Sequence, residues 1–309
     1  MATGTATTAT DWEQKQRQLM GQRDHRVLPP WIKLPALPNA VTQFVKKAQE
    51  PAAGADELGK VVEKDCGLTS LLLKNVNSSA SGFQNKAKSA QEAIARLGIR
   101  ASMLLLTTDQ MNQFMKSSQS KVVNARGFFC SNLERALFAR CLARRWGLDE
   151  ELAFAGSMVS DCLVPVLTNQ AADKYLQFLG FDEAAAVRMC RFEDKQFGWN
   201  HAEAAAYLFA DWGFPPDLVC CVLVHHKGLE ILKDASLRKT AAAAVAIAGL
   251  LPDQLRQEPQ GLKLLQSLQQ ADPRFDIAEL AALVDTEFRE MEPSIENPFP
   301  LLRRVRRLS

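Results

Sequence analysis

The stretch "GWNHAEAAAYLFADWGFPPDLVCCVLVHH", residues 198–226, decides how this chain of 309 residues is read. Asn200 stands three residues before Glu203, the spacing of a helix N-cap, and the apolar run that follows stops at Trp212 and Gly213. Pro215 and Pro216 then preset the backbone for a second helix, which carries Cys220, Cys221 and the pair His225 and His226. The chain has only four histidines, and three of them lie in this segment. One imidazole at the start of a helix and two at the end of the next can face a common point. Asp161, on an apolar helix upstream, completes a set of nitrogen and oxygen donors that suits a divalent transition metal. No HExxH arrangement is present, so spacing alone does not specify a metal site.

The same helical punctuation extends outward. Prolines in the string at 34–38 predict an extended lead into a helix striped by Val41, Phe44 and Val45. A second helix follows from Asp56, and Gly67 and Thr69 open a third through Leu71 to Val76. Ser89 and Glu92 have capping-box spacing, and Gly98 stops that helix. Further helices are expected over 99–115, 128–146, 150–167, 183–192, 238–250 and 276–291, with no alternating strand pattern to compete. The expected fold class is all-α. Residues 1–27 are expected to form a disordered arm, because they carry few large apolar side chains. The body divides into an N-terminal helical lobe at 28–116, a second lobe at 117–235 and additional helices at 236–291. A basic tail at 292–309, rich in Arg303, Arg304, Arg306 and Arg307, is expected to be frayed and solvated.

Lys and Arg total 37 against 35 for Asp and Glu, so the net charge of +2 creates no long-range pull toward nucleic acid. Seven scattered cysteines without CxxC spacing argue for a reducing compartment and against a zinc ribbon. No secretory signal is recognisable at the start. The longest apolar run, at 241–251, is about half of the roughly 20 residues a membrane helix needs. A cytoplasmic protein without a membrane span is the expectation. Neither a GxxxxGKS phosphate loop nor a nucleophile elbow is present.

Several motifs together carry a family resemblance. "LPALP" at 34–38, "VVEKDCGLTSLLLKNVNSSASG" at 61–82, "AQEAIARLG" at 90–98, Glu193 and the segment 198–226 occur in the order found in the HDOD family, so that residues 28–235 resemble it. The resemblance implies an HD-superfamily-like helical fold, with the N-terminal lobe packed on a degenerate HD-type lobe. It also implies a role in bacterial signalling and regulation, generally without catalysis. Active HD enzymes hold metal through a first His, an adjacent His and Asp, and a later Asp. The resemblance puts Ser131 at the first of these positions, Ser160 at the paired His and Gly249 at the last Asp, leaving only Asp161. A serine hydroxyl is a poor substitute for imidazole, and glycine offers no side-chain ligand. Asp161, His201, His225 and His226 correspond to the second-metal ligands of the HD-GYP branch. We expect these four to form a buried polar network, with a mononuclear metal site as the sharper alternative. No catalytic residue and no cofactor are expected. The chain is read as a pseudoenzyme that binds a protein partner or small ligand, with a homodimer left open. The rival reading is a metal-dependent phosphohydrolase or phosphodiesterase.

Overall fold

Helix caps written into the sequence set most of the element boundaries. The computed structural model describes residues 10–21, 37, 39–78, 85–181, 186–297 and 299–306, and no strand occurs among the described residues. The first helices are α1 (Trp12–Met20), α2 (Asn39–Ala48), α3 (Ala55–Val62), α4 (Cys66–Val76), α5 (Ala90–Leu97) and α6 (Ile99–Ser117). Val41, Phe44 and Val45 of α2 are buried with Leu58 and Val62 of α3, Leu72 and Val76 of α4 and Ile94 of α5. This is the core of the N-terminal lobe, and each such side chain is worth about 1.5–3 kcal/mol on full burial. Ser89 caps α5 by accepting the Glu92 N–H at 3.1 Å, while the Glu92 carboxylate accepts from Lys88 at 3.0 Å.

The second lobe is organised by α7 (Ala125–Trp146), capped by Asn124 and ended by Gly147 in the left-handed conformation. It packs against α8 (Glu150–Val159), α14 (Ala241–Ala248) and α16 (Ile277–Met291). Between these lie α9 (Val164–Gln170), α10 (Ala172–Leu179), α11 (Met189–Phe197), α12 (His201–Asp211), α13 (Pro216–Val224) and a short 3-10 helix, Gly228–Lys233. After α14 come α15 (Gly261–Ala271) and, beyond α16, α17 (Leu301–Arg306). Every residue of α14 is buried, which explains its apolar run as a central core helix. Among the described residues the one stretch long and apolar enough to cross a bilayer, Glu150–Gln170, is 89% buried inside the fold.

Several expectations need correction. The helix expected over 150–167 is two helices, because Pro165 in the first turn of α9 cannot donate and the Ser160 hydroxyl bonds back to the Gly156 carbonyl at 2.5 Å. The interruption puts Asp161 in a tight turn instead of on a helix. The arm expected to be disordered contains α1, which packs on α13. Lys15 Nζ bonds Asp234 Oδ2 at 2.8 Å, Thr10 bonds the Ser236 carbonyl, and the Tyr207 hydroxyl donates to the Met20 carbonyl. Trp12, Leu19 and Met20 supply enough apolar contact to dock a helix whose sequence pattern is weak. The basic tail is also docked. Leu301 and Val305 are buried, and Arg304 bonds Glu134 and, at 2.8 Å, the Pro252 carbonyl. The helix expected over 183–192 is α11, shifted toward 197, while α10 and α15 had no expected counterpart. Most of the 34–38 string, the rest of the arm, Glu183 and Arg307 lie outside the described residues.

Two features of this architecture are directly testable. A Cβ on Gly249 would sit 2.1 Å from the His225 carbonyl oxygen, so α14 can approach the end of α13 only through glycine. Gly249→Ala should therefore cost about 1–3 kcal/mol, read as a lower urea midpoint; an unchanged midpoint would refute the close approach. Partial burial opposes ionisation of Asp234, but the bonds from Lys15 and Ser236 outweigh it and hold its carboxyl at about 2, below the ordinary 3.8. A depressed carboxyl contributes stability above its unfolded value, which is lost as pH falls through the folded one. Protection of the α1 amides, taken relative to their intrinsic exchange rates, should fall as pH drops from 3.8 to about 2. Asp234→Ala should show the lower protection already at neutral pH.

Candidate metal centre

Five separate chain segments, most of them helix ends and turns, deliver the polar residues of the second lobe to one buried point. Asn200 caps α12 by accepting the Glu203 N–H at 3.0 Å, which starts the helix at His201 and turns its ring inward. Glu193, on α11, accepts the His201 backbone N–H at 3.0 Å and so ties the two helices together. The first turn of α13 begins at Pro216, and His225 and His226 follow its last residue. The α8–α9 turn presents Asp161. The segment 249–260 after α14 adds Asp253, Gln257 and Glu258, and is held to α11 by the bond from Met189 N to the Gln257 carbonyl at 3.1 Å.

The four residues singled out from the sequence converge. Asp161 is 2% exposed, His201 0%, His225 2% and His226 8%. His201 Nε2 lies 3.2 Å from Asp161 Oδ1, 3.3 Å from His225 Nε2 and 3.0 Å from His226 Nε2, and His225 Nε2 lies 3.3 Å from Asp161 Oδ1. Ligands about 2.0–2.1 Å from a tetrahedral zinc-type ion are separated from one another by about 3.3 Å, so these spacings match such a shell.

The opposite ring nitrogens decide what the converging atoms can be. His201 Nδ1 meets Glu193 Oε2 at 2.6 Å, His225 Nδ1 the Val222 carbonyl at 2.6 Å, and His226 Nδ1 Glu258 Oε1 at 3.0 Å. All three partners are acceptors, which assigns the proton of each neutral ring to Nδ1 and leaves the Nε2 lone pairs aimed at one another. Gln257 adds another acceptor: its amide nitrogen donates to Asp161 Oδ2 at 3.0 Å, so its Oε1 faces His226 Nε2 at 3.0 Å. Lone pairs crowded in this way call for a cation, either protons on the rings or a metal ion. Carboxylate and carbonyl partners behind each imidazole are also the supports that orient histidine ligands. The residues present therefore fit a divalent ion.

Electrostatics without an ion show the same demand. Burial opposes the charge on Asp161, yet Arg135 and the bonds from His201 and His225 hold its carboxyl well below the usual range. Burial also works against a charged His201, but the Glu193 carboxylate outweighs it and raises that imidazole well above its ordinary value. His226 is driven well below its ordinary value by burial and by the charges of His225 and His201. Burial and Glu193 raise the Tyr175 phenol, which stays protonated and donates to Glu193 Oε1 at 2.7 Å. Cys190 Sγ approaches His201 Nδ1 only at 4.0 Å, on the side already taken by Glu193.

The serine and glycine positions supply no ligand to the quartet. Ser160 turns its hydroxyl back onto the Gly156 carbonyl. Ser131 lines a surface cleft of about 500 Å³ with Arg126, Glu134, Asp253, Asn297 and Arg304. Gly249 is a close-packing position against His225, and the carboxylate that enters the centre is Asp253, four residues later. Sequence reasoning missed Arg135, Asp253, Gln257 and Glu258. Arg135, one turn beyond Ser131, bonds Asp161 Oδ2, reaches Asp253 Oδ2 at 2.5 Å and lies 3.3 Å from the Leu251 carbonyl. An arginine among the mostly apolar buried positions of α7 was the available signal.

The HDOD domain model matches residues 34–228. A Treponema pallidum (strain Nichols) protein of uncharacterised function is 20% identical over 197 residues, which is 62% of this chain; the chain spans only 37% of that relative's length. Among solved structures, an HDOD domain protein from Geobacter sulfurreducens superposes with a TM-score of 0.56 at 20% identity, covering 90% of this chain and 95% of that one. A Shewanella amazonensis SB2B protein named as a candidate phosphohydrolase gives 0.58 at 17% identity, covering 98% and 100%. A candidate signal transduction protein from Marinobacter aquaeolei VT8 gives 0.53 at 17% identity, covering 93% and 65%. At these identities the structural likeness speaks for the fold, and the family model spans well over half of the sequence. The chain belongs to the HDOD domain family.

Proposed function

We propose that this HDOD chain is a non-catalytic signalling or regulatory module that binds a protein partner or a small ligand. The observation that carries this reading is Arg135, whose guanidinium bridges Asp161 and Asp253 beside the three histidines. Metal-assisted hydrolysis lowers the pKa of a bound water from about 15.7 to about 7 and gains further from a second ion on the leaving oxygen. A guanidinium has no coordination position for water, and with a pKa above about 12 it cannot serve as a general base. The three imidazoles have their outer nitrogens engaged and their inner ones turned into a closed interior. The Ser160 hydroxyl is likewise committed to a backbone carbonyl. The cleft beside Ser131, with Arg126 and Arg304 on its walls, offers a surface for a small ligand.

The rival reading, a phosphohydrolase or phosphodiesterase, draws on the fit of Asp161 and the histidines to one metal ion. An ion there would supply Lewis acidity, and Asp161 and the histidines would hold it. The two readings separate in one assay. With added manganese or iron, hydrolysis of bis(p-nitrophenyl) phosphate and of cyclic dinucleotides should stay at the background rate. Metal-dependent turnover that Asp161→Ala abolishes would replace the regulatory reading with the enzymatic one.

A further inference from the structure

The carboxylate of Asp161 divides its two oxygens between two cation positions. Oδ1 faces His201 and His225, at 3.2 and 3.3 Å, within the cluster of Nε2 lone pairs. Oδ2 faces away from that cluster and takes Arg135 and the Gln257 amide. Asp253 lies on the far side of the guanidinium. Its Oδ2 accepts from Arg135 at 2.5 Å, while its Oδ1 is engaged by the Leu255 N–H at 2.6 Å. Two carboxylate oxygens from separate chain segments, aimed at one positive group, are what a second metal ion would require.

Charge bookkeeping supports the division. Asp161, Asp253, Glu193 and Glu258 bring four carboxylates to the centre and its immediate supports. Against them stand two guanidiniums, Arg135 and Arg188, the latter bonded to Glu258 at 2.7 Å. Two negative charges remain, and a single divalent ion among the histidines balances them. Without Arg135 three negative charges would remain, one more than a single divalent ion balances. The side chain of Arg135 is 4% exposed and its Nε has no partner, so it is held by its terminal nitrogens alone. That is how a tethered cation seated between two anions would be held.

We propose that Arg135 is a built-in substitute for a second metal ion, fixing this centre at one divalent ion on His201, His225, His226 and Asp161. Arg135 is thus a positioning residue. It holds Asp161 Oδ2 so that Oδ1 stays turned toward the histidines, and it fills the adjacent position where a second ion and its water would assemble. The inference deepens the non-catalytic reading and rests on it. The two fail separately, because the metal count tests Arg135 whereas phosphodiester turnover tests the reading.

The full chain, stripped with chelator and reloaded with cobalt(II) or zinc(II), is analysed for metal per chain and for cobalt visible absorption. Wild type should hold one ion, with the intense bands of a four- or five-coordinate cobalt. Arg135→His, which exchanges the cation for an imidazole beside two carboxylates, should hold two. Arg135→Lys should hold one, and His225→Ala should lose the cobalt spectrum. If Arg135→His is unfolded when stripped, a cooperative melt restored by cobalt supports the proposal. Wild-type chain holding no ion or two ions overturns it. A folded Arg135→His chain holding one ion overturns it as well, as does a chain that cobalt fails to restore while Arg135→Lys folds normally.

Discussion

One carboxylate, Asp161, joins the two electrostatic halves of the second lobe. Its Oδ1 answers the imidazoles that enter from α12 and the end of α13, and its Oδ2 answers the guanidinium that enters from α7. Placing that group at 2% exposure would be prohibitive without partners on both sides, since an unpaired buried charge costs several kcal/mol. The surrounding helices must therefore keep their register for the centre to be satisfied, and the centre in turn fixes where those helices end.

The helix ends are what make the arrangement possible. Asp161 reaches the interior because α8 stops and α9 restarts only at Val164, and His225 and His226 reach it because α13 stops before them. Gly249 lets α14 press against the His225 carbonyl, which brings the following segment, with Asp253, Gln257 and Glu258, over the open side. A side chain at that position would hold the segment away and leave Arg135 with one carboxylate instead of two. Packing and charge are thus coupled through a single backbone contact.

The two chain ends reinforce the same lobe from outside. α1 docks on α13 through the Lys15–Asp234 pair, and α17 docks on α16 with Arg304 bonded to Glu134, the residue preceding Arg135. α7 therefore carries two successive buried charges, one satisfied by the terminal helix and one by the centre. Each of these outer contacts pairs a buried or half-buried charge with a partner from a distant segment.

Local signals in the sequence determined the all-α class, most helix starts and the candidate quartet. Caps such as Ser89 and Asn200 act within a few residues, and the HDOD motifs carried His201, His225 and His226 with Asp161. Tertiary structure alone decided what surrounds the quartet. Arg135, Asp253, Gln257 and Glu258 join it through contacts spanning 26 to 118 residues, and pairing over such distances leaves no periodic trace in the chain. The break in the 150–167 helix had a local signal in Pro165, but the docking of α1 and that of α17 were hidden for the same reason. Each depends on free energy gained only when distant surfaces are buried together, whereas capping and periodicity are settled within a few turns.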